Sequence, residues 1–216
     1  DLWEPEKLAR QTPLFDDSSI GIAISDVRFF TDDGKSLRRF AGGAPPQGMV
    51  FDQLLDSYFV PVETVLLRRS AIDALAQAFD PELSHISDFD LVVRLARDWK
   101  LARTDEVLAH WRVHASSGSW AEPDRFFREK LLFVEKMDAL PEFAASWDRC
   151  RKRFMERTMT SEAMTRLGSG DVEACREILR HCRWTHWRAF VVFALSFLPF
   201  GGEVIRRYRG RKAELC

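Results

Sequence analysis

The feature that most constrains this 216-residue chain is a change of pattern near residue 120. Ahead of it, runs rich in β-branched residues and bounded by turn residues alternate with helical periodicity. Beyond Pro123 the strand signals stop and only helical spacings of apolar residues recur. Strands alternating with helices predict an α/β unit with a Rossmann-like mixed sheet over residues 1–120. The helical run predicts an all-α C-terminal extension over residues 121–216. With 46% hydrophobic and 30% charged residues, the composition is that of a globular chain.

Within the first part, Leu2–Leu8 leads into a short helix, with Pro5 near its first turn. Ile20–Val27 reads as a strand continued to Phe30, Asp32-Asp33-Gly34-Lys35 as a turn, and Ser36–Phe40 as the returning arm of a hairpin. Gly42–Gly48, with two prolines, is a loop by composition: a connector or, beside a site, a lid. Val50–Leu55 is predicted helical and Thr64–Arg68 a buried strand. Ser70 is expected to cap a helix with Ile72, Leu75, Ala76 and Phe79 on one face. Leu101–Arg103 and Val107–Arg112 read as two short strands.

The stretch His85–Leu95 opens a strongly patterned helix that runs to about Trp99. Phe89, Val92, Val93 and Ala96 recur at i, i+3, i+4 and i+7. Ser87 stands where an N-cap belongs, Asp88 and Asp90 lie in the first turn, where the helix dipole favours negative charge, and Asp90 is spaced to pair with Arg94. Residues two apart on a helix point about 200° from one another, so Asp88 and Asp90 cannot flank one bond as a hydrolase pair. No GxSxG, HExxH or P-loop sequence is present to suggest another enzyme class.

In the second part, helices are predicted over Asp124–Ala139, Pro141–Leu167, Asp171–Cys182 and Trp184–Leu198. The break at Leu167–Asp171 resembles a single tetratricopeptide-like hairpin, and one repeat cannot support a solenoid. Ala189–Phe200 has one polar side chain in twelve residues, too short for a membrane span of about twenty. Flanked by Trp184, Trp187 and Arg206-Arg207-Tyr208-Arg209, it suits the interface of an anionic membrane; equally, it suits a buried helix followed by a solvated basic tail. The net charge of −1 implies no nucleic-acid partner. Residues 183–212, however, hold seven Lys or Arg against one Glu, a local charge of +6 that leaves −7 on the remainder.

Cys150, Cys175, Cys182 and Cys216 form no CxxC pair and no zinc spacing, so reduced thiols are expected. The opening Asp1-Leu2-Trp3 lacks the basic and apolar regions of a signal peptide. It reads as a start inside a larger, cytoplasmic protein, with peripheral contact at the inner face of the cell membrane through residues 184–212.

Four segments, in order, resemble the second half of a bacterial family 2 glycosyltransferase of the GT-A fold. Asp1-Leu2-Trp3-Glu4-Pro5-Glu6-Lys7-Leu8-Ala9-Arg10-Gln11 looks like the family's D-x-D-D-x-W-x-P-x-K-L-x-x-Q. Thr64–Ala71 through Phe79-Asp80-Pro81-Glu82-Leu83 is similar to its strand, "RR-[ST]-A" helix and "GGFDE" turn, with Gln77-Ala78 in place of the Gly-Gly. Ser87-Asp88-Phe89-Asp90-Leu91 matches "E-D-x-D-L", with Ser87 replacing the Glu. Val107–His114 matches "L-x-x-[YW]-R-x-H".

The resemblance covers residues 1 to about 120 and implies an inverting transfer of a sugar from a nucleotide-diphospho-sugar to the hydroxyl of a glycan or lipid-linked acceptor, in cell-surface polysaccharide synthesis. It implies that Asp88 is the catalytic base, that Asp1 and His114 lie at a Mn²⁺ or Mg²⁺ site, and that Arg112 faces a donor phosphate. The family's nucleotide-binding first half and its Asp-x-Asp are not among these residues, so this chain alone is expected to be inactive. The replaced Glu leaves the acceptor class open. The competing reading is a non-catalytic helical module that docks on a membrane or a partner.

Overall fold

Ile20–Phe30 forms the central strand β2 of a mixed sheet in the computed structural model, which describes residues 1–113, 123–180, 182 and 187–213. Every residue from Ile20 to Val27 is buried, as the run of β-branched residues requires of a strand covered on both faces. β2 pairs in parallel with the 13-residue strand β5, Lys100–Arg112. On its other side it pairs antiparallel with β3 (Ser36–Arg38) at one end and β4 (Leu66–Leu67) at the other. β1 (Leu2–Trp3) adds antiparallel to the far side of β5, setting Leu2 opposite His110. Parallel neighbours need a long crossover. Residues 31–99 supply it, carrying α2 (Phe51–Asp56), α3 (Arg69–Asp73) and α4 (Ser87–Ala96) after the short α1 (Lys7–Gln11).

The chain forms two compact units, Asp1–Glu129 and Lys130–Cys216. The first is an α/β unit and the second consists of helices, as the pattern change predicts. Several local expectations are corrected. Leu2–Trp3 is a strand rather than the lead-in to a helix. The two short strands expected near the end of the unit are one strand. Its polar middle is held by Arg103, whose Nε donates to the Pro45 carbonyl at 2.8 Å, and by the Asp105 carbonyl, which accepts from Arg38 Nη2 at 3.0 Å. α3 stops at Asp73, leaving Leu75, Ala76 and Phe79 outside it. The Gln77 and Ala78 carbonyls accept from the Arg94 guanidinium at 2.8 and 2.7 Å and so dock this turn on α4.

Two details fix the sheet. Gly21 is required because a Cβ there would sit 2.5 Å from the Cβ of Trp99. Asp26 is fully buried where β2 shifts register against β5. Its Oδ1 accepts from the Val27 and Phe40 N–H groups at 2.8 and 3.0 Å, and its Oδ2 from Arg38 Nε at 2.8 Å. A buried carboxylate is tolerable when its acceptors are filled in this way, and here it ties β2 to the β3 arm.

In the second unit, Phe133 in the second half of α5 (Pro123–Asp138) meets Trp147 and Phe154 of α6 (Ala144–Ser169) at ring separations of 5.9 and 5.5 Å. Gly170, at φ 91°, ends α6 in the left-handed conformation that glycine adopts freely. α7 (Val172–Arg180) then folds back, giving the predicted hairpin. Cys175, Leu179, Ala189 and Val192 pack with Leu167 in a second core. Cys150, Cys175 and Cys182 are buried and form no disulfide, while Cys216 lies outside the described residues. The last predicted helix is α8, Trp187–Leu195, which ends three residues before the expected Leu198; residues 184–186 of the expectation lie outside the described residues. A further helix, α9 (Gly201–Ala213), occupies what the sequence suggested was a tail.

Candidate functional site around Asp88

Asp88 stands in the first turn of α4, but Ser87 is not the cap: Ile86 is the N-cap residue, and no side chain of its own caps the helix. The anionic partner comes from α5 instead. Glu129 Oε2 accepts from the His85 and Ile86 N–H groups at 2.7 and 3.1 Å, and Oε1 from the Ser84 hydroxyl at 3.0 Å. Burial pushes the Glu129 carboxyl up, but these hydrogen bonds outweigh it and hold it below its ordinary range. Asp90 does pair with Arg94, at 2.6 Å, and is buried.

The Asp88 carboxylate is half-buried, and burial pushes its pKa up. The Phe89 N–H, the Tyr58 hydroxyl and its own N–H oppose this without reversing it. Tyr58 donates to Oδ2 of Asp88 at 3.2 Å, and its ring packs edge-on against Phe89 at 5.2 Å. Burial and the Asp88 charge drive the phenol well above its ordinary range, so it stays protonated and can only donate here. A second carboxyl, Glu63, belongs to the same group. Burial raises its pKa, its own backbone N–H opposes this, the Asp88 charge adds to it, and Arg39 lowers it.

Glu63 lies on a 3₁₀ turn, Val62–Thr64, clamped from the first segment of the chain. Trp3 Nε1 donates to the Glu63 carbonyl at 2.8 Å, while Lys7 Nζ and Gln11 Nε2 donate to the Thr64 carbonyl at 3.1 and 2.9 Å. Lys7 is only 1% exposed, its ammonium lies 4.3 Å from the centre of the Trp3 ring, and burial lowers its pKa to about 8. The Trp, Lys and Gln of the opening segment thus share one task, fixing the turn that presents Glu63.

Arg39 Nη2 donates to the Tyr58 carbonyl at 3.4 Å, and the same residue lines a cleft of about 450 Å³ with Phe40, Pro45, Pro46, Gln53 and Phe59. The Gly42–Gly48 loop therefore forms part of the wall of a cleft rather than a plain connection.

The pairing of β1 with β5 brings together two of the predicted residues. Asp1 Oδ1 accepts from the Arg112 N–H at 3.0 Å, while the Arg112 guanidinium, at an exposed strand end, donates to both oxygens of Asp32 at 2.8 and 2.9 Å. His114 lies outside the described residues. Trp111 packs edge-on against Phe29 at 5.2 Å, in a small core with Val27 and Ala109. Among the described residues, no three His, Cys, Asp or Glu side chains are grouped so as to hold a metal ion. Of the two residues expected at a metal site, only Asp1 is among the described residues, and its Oδ1 accepts from the Arg112 N–H.

Tyr58, Glu63 and Lys7 are the members of the site that sequence reasoning missed. The i, i+4, i+8 spacing of Trp3, Lys7 and Gln11 was the one signal that could have pointed to a shared face. Comparisons with family models, with curated proteins and with solved structures gave no match.

Proposed function

We propose that the first unit holds the acceptor side of an inverting glycosyltransferase site, with Asp88 as the general base. The observation that carries this reading is the partly desolvated Asp88 carboxylate, raised in pKa and held by a phenol that stays protonated. A carboxylate made more basic by burial is better suited to take a proton from an acceptor hydroxyl as that hydroxyl becomes nucleophilic.

In this reading the acceptor oxygen forms a bond to the anomeric carbon while its proton passes to Asp88. The bond from that carbon to the diphosphate oxygen breaks from the opposite face, and the nucleoside diphosphate leaves with the electron pair. Tyr58 fixes one carboxylate oxygen and leaves the other to the acceptor. Arg112 exchanges Asp32 for a donor phosphate oxygen, a role suited to a guanidinium fork. Nothing in this sequence of steps is assigned to a metal. The arrangement of the four motif segments supports the family reading, and the nature of the sugar and acceptor rests with residues other than those named.

The test is sugar transfer by the full-length gene product, screened across nucleotide-diphospho-sugars, with Asp88→Asn beside the parent. Loss of about a hundredfold or more in kcat is expected of a removed general base. Undiminished transfer by the variant would remove Asp88 from that role.

A further inference from the structure

α8 is built with its apolar residues facing the wrong way for a simple core helix. Ala189 and Val192 face the core of the second unit and are buried, as is Ser196 just beyond the helix. The opposite stripe, Trp187, Phe190, Val191 and Ala194 at i, i+3, i+4 and i+7, is exposed, with Trp187 at 68% and Phe190 at 63%. Phe197, Leu198 and Phe200 continue as exposed apolar groups in the turn that follows. Contiguous exposed aromatic surface of this kind marks an interaction site.

The charge of the segment that carries this stripe selects the occupant. No acidic residue occurs from 187 to 202, Arg188 lies at the start of α8, and residues 183–212 hold seven Lys or Arg against Glu203 alone. A second copy of the chain would bring one +6 segment against another, which opposes self-association through this face. Among the described residues no helix is long and apolar enough to cross a membrane. A nine-residue helix is only about 14 Å long, suited to lying in an interface rather than spanning it. A Trp and an Arg at one end of an apolar stripe, within a strongly basic segment, fit the headgroup region of an anionic bilayer.

We infer that the outward face of α8 and the turn after it form a docking surface for an anionic lipid membrane, with Trp187 and Phe190 as the inserted side chains and the net positive charge of residues 183–212 as the electrostatic complement. This surface stands independently of any chemistry at Asp88.

The test is co-sedimentation of the full chain with phosphatidylcholine vesicles and with vesicles of phosphatidylcholine and phosphatidylglycerol, at low and high salt. Binding is expected to the anionic vesicles, to weaken with salt, and to fall about tenfold or more in W187S/F190S, since each aromatic contributes apolar burial. The far-UV spectrum and Tm of W187S/F190S should match the parent, because both side chains are exposed. No binding to anionic vesicles, or binding indifferent to both substitutions, would overturn the inference. So would concentration-dependent dimerisation of the parent that W187S/F190S abolishes, which would assign the face to a second copy.

Discussion

The hydroxyl of Tyr58 donates to Oδ2 of Asp88 at 3.2 Å, joining the segment after α2 to the first turn of α4. The bond favours the carboxylate anion, whereas burial disfavours it, and burial prevails.

Tyr58→Phe removes the donor and keeps the ring against Phe89, so the Asp88 pKa should move further up. An NMR titration of the Asp88 side-chain carboxyl reads this without any activity assay. A downward shift, or none, would mean that the bond contributes nothing to the carboxylate.

Lys7 has a folded pKa of about 8 against an ordinary 10.5, so between these values the unfolded chain binds more protons than the folded one. Stability from this residue therefore rises as pH increases from about 8 towards 10.5. Urea denaturation of the parent and Lys7→Met across that range should show the parent gaining on the variant. A flat difference would contradict the burial of the ammonium.

Glu129→Gln should destabilise the first unit by about 2 kcal/mol at neutral pH, because three donors at the start of α4 lose an anionic acceptor. The folded pKa of Glu129 is depressed, so this contribution is present above its unfolded pKa and is lost as pH falls through the folded value. The gap between parent and variant in denaturant should close in acid.

Gly21→Ala drives a methyl into Trp99 and should cost about 1–3 kcal/mol in chemical denaturation. Combined with Trp99→Gly, the cost should be less than additive, since the second change removes the Cβ and ring that obstruct the methyl.

Under the proposed reading, donor contacts belong to segments the family carries ahead of the residues matched here. Calorimetric titration of the 216-residue chain with UDP and Mn²⁺ should give no saturable heat. A saturable signal would place a complete donor site within these residues and overturn that division.

What could be read in advance follows from how local each interaction is. The burial of Ile20–Val27, the Ser36–Arg38 arm, the Asp90–Arg94 pair and the glycine break between α6 and α7 all depend on neighbours a few residues away, where composition and period carry the information. The motif singles out Asp88, but not the groups around it. Tyr58 lies 30 residues from it, Glu129 reaches back 44 residues to His85, and Lys7 and Thr64 are 57 apart. Ser87 fits a cap by residue type and position, whereas a distant carboxylate performs the task. The polar residues 104–106 divide β5 into two predicted strands because the partners that hold this stretch, Pro45 and Arg38, belong to other parts of the chain.

The parallel pairing of β2 with β5 also bears on how the chain reaches this structure. Its two strands are separated by residues 31–99, so the central pair of the sheet forms only after a long loop has closed. The α6–α7 hairpin closes over a two-residue break at Gly170 and Asp171. Domains rich in local contacts fold orders of magnitude faster than those dominated by distant ones. The helical unit, although last in sequence, should therefore gain its structure first in refolding, and the acceptor side of the proposed site should mature last.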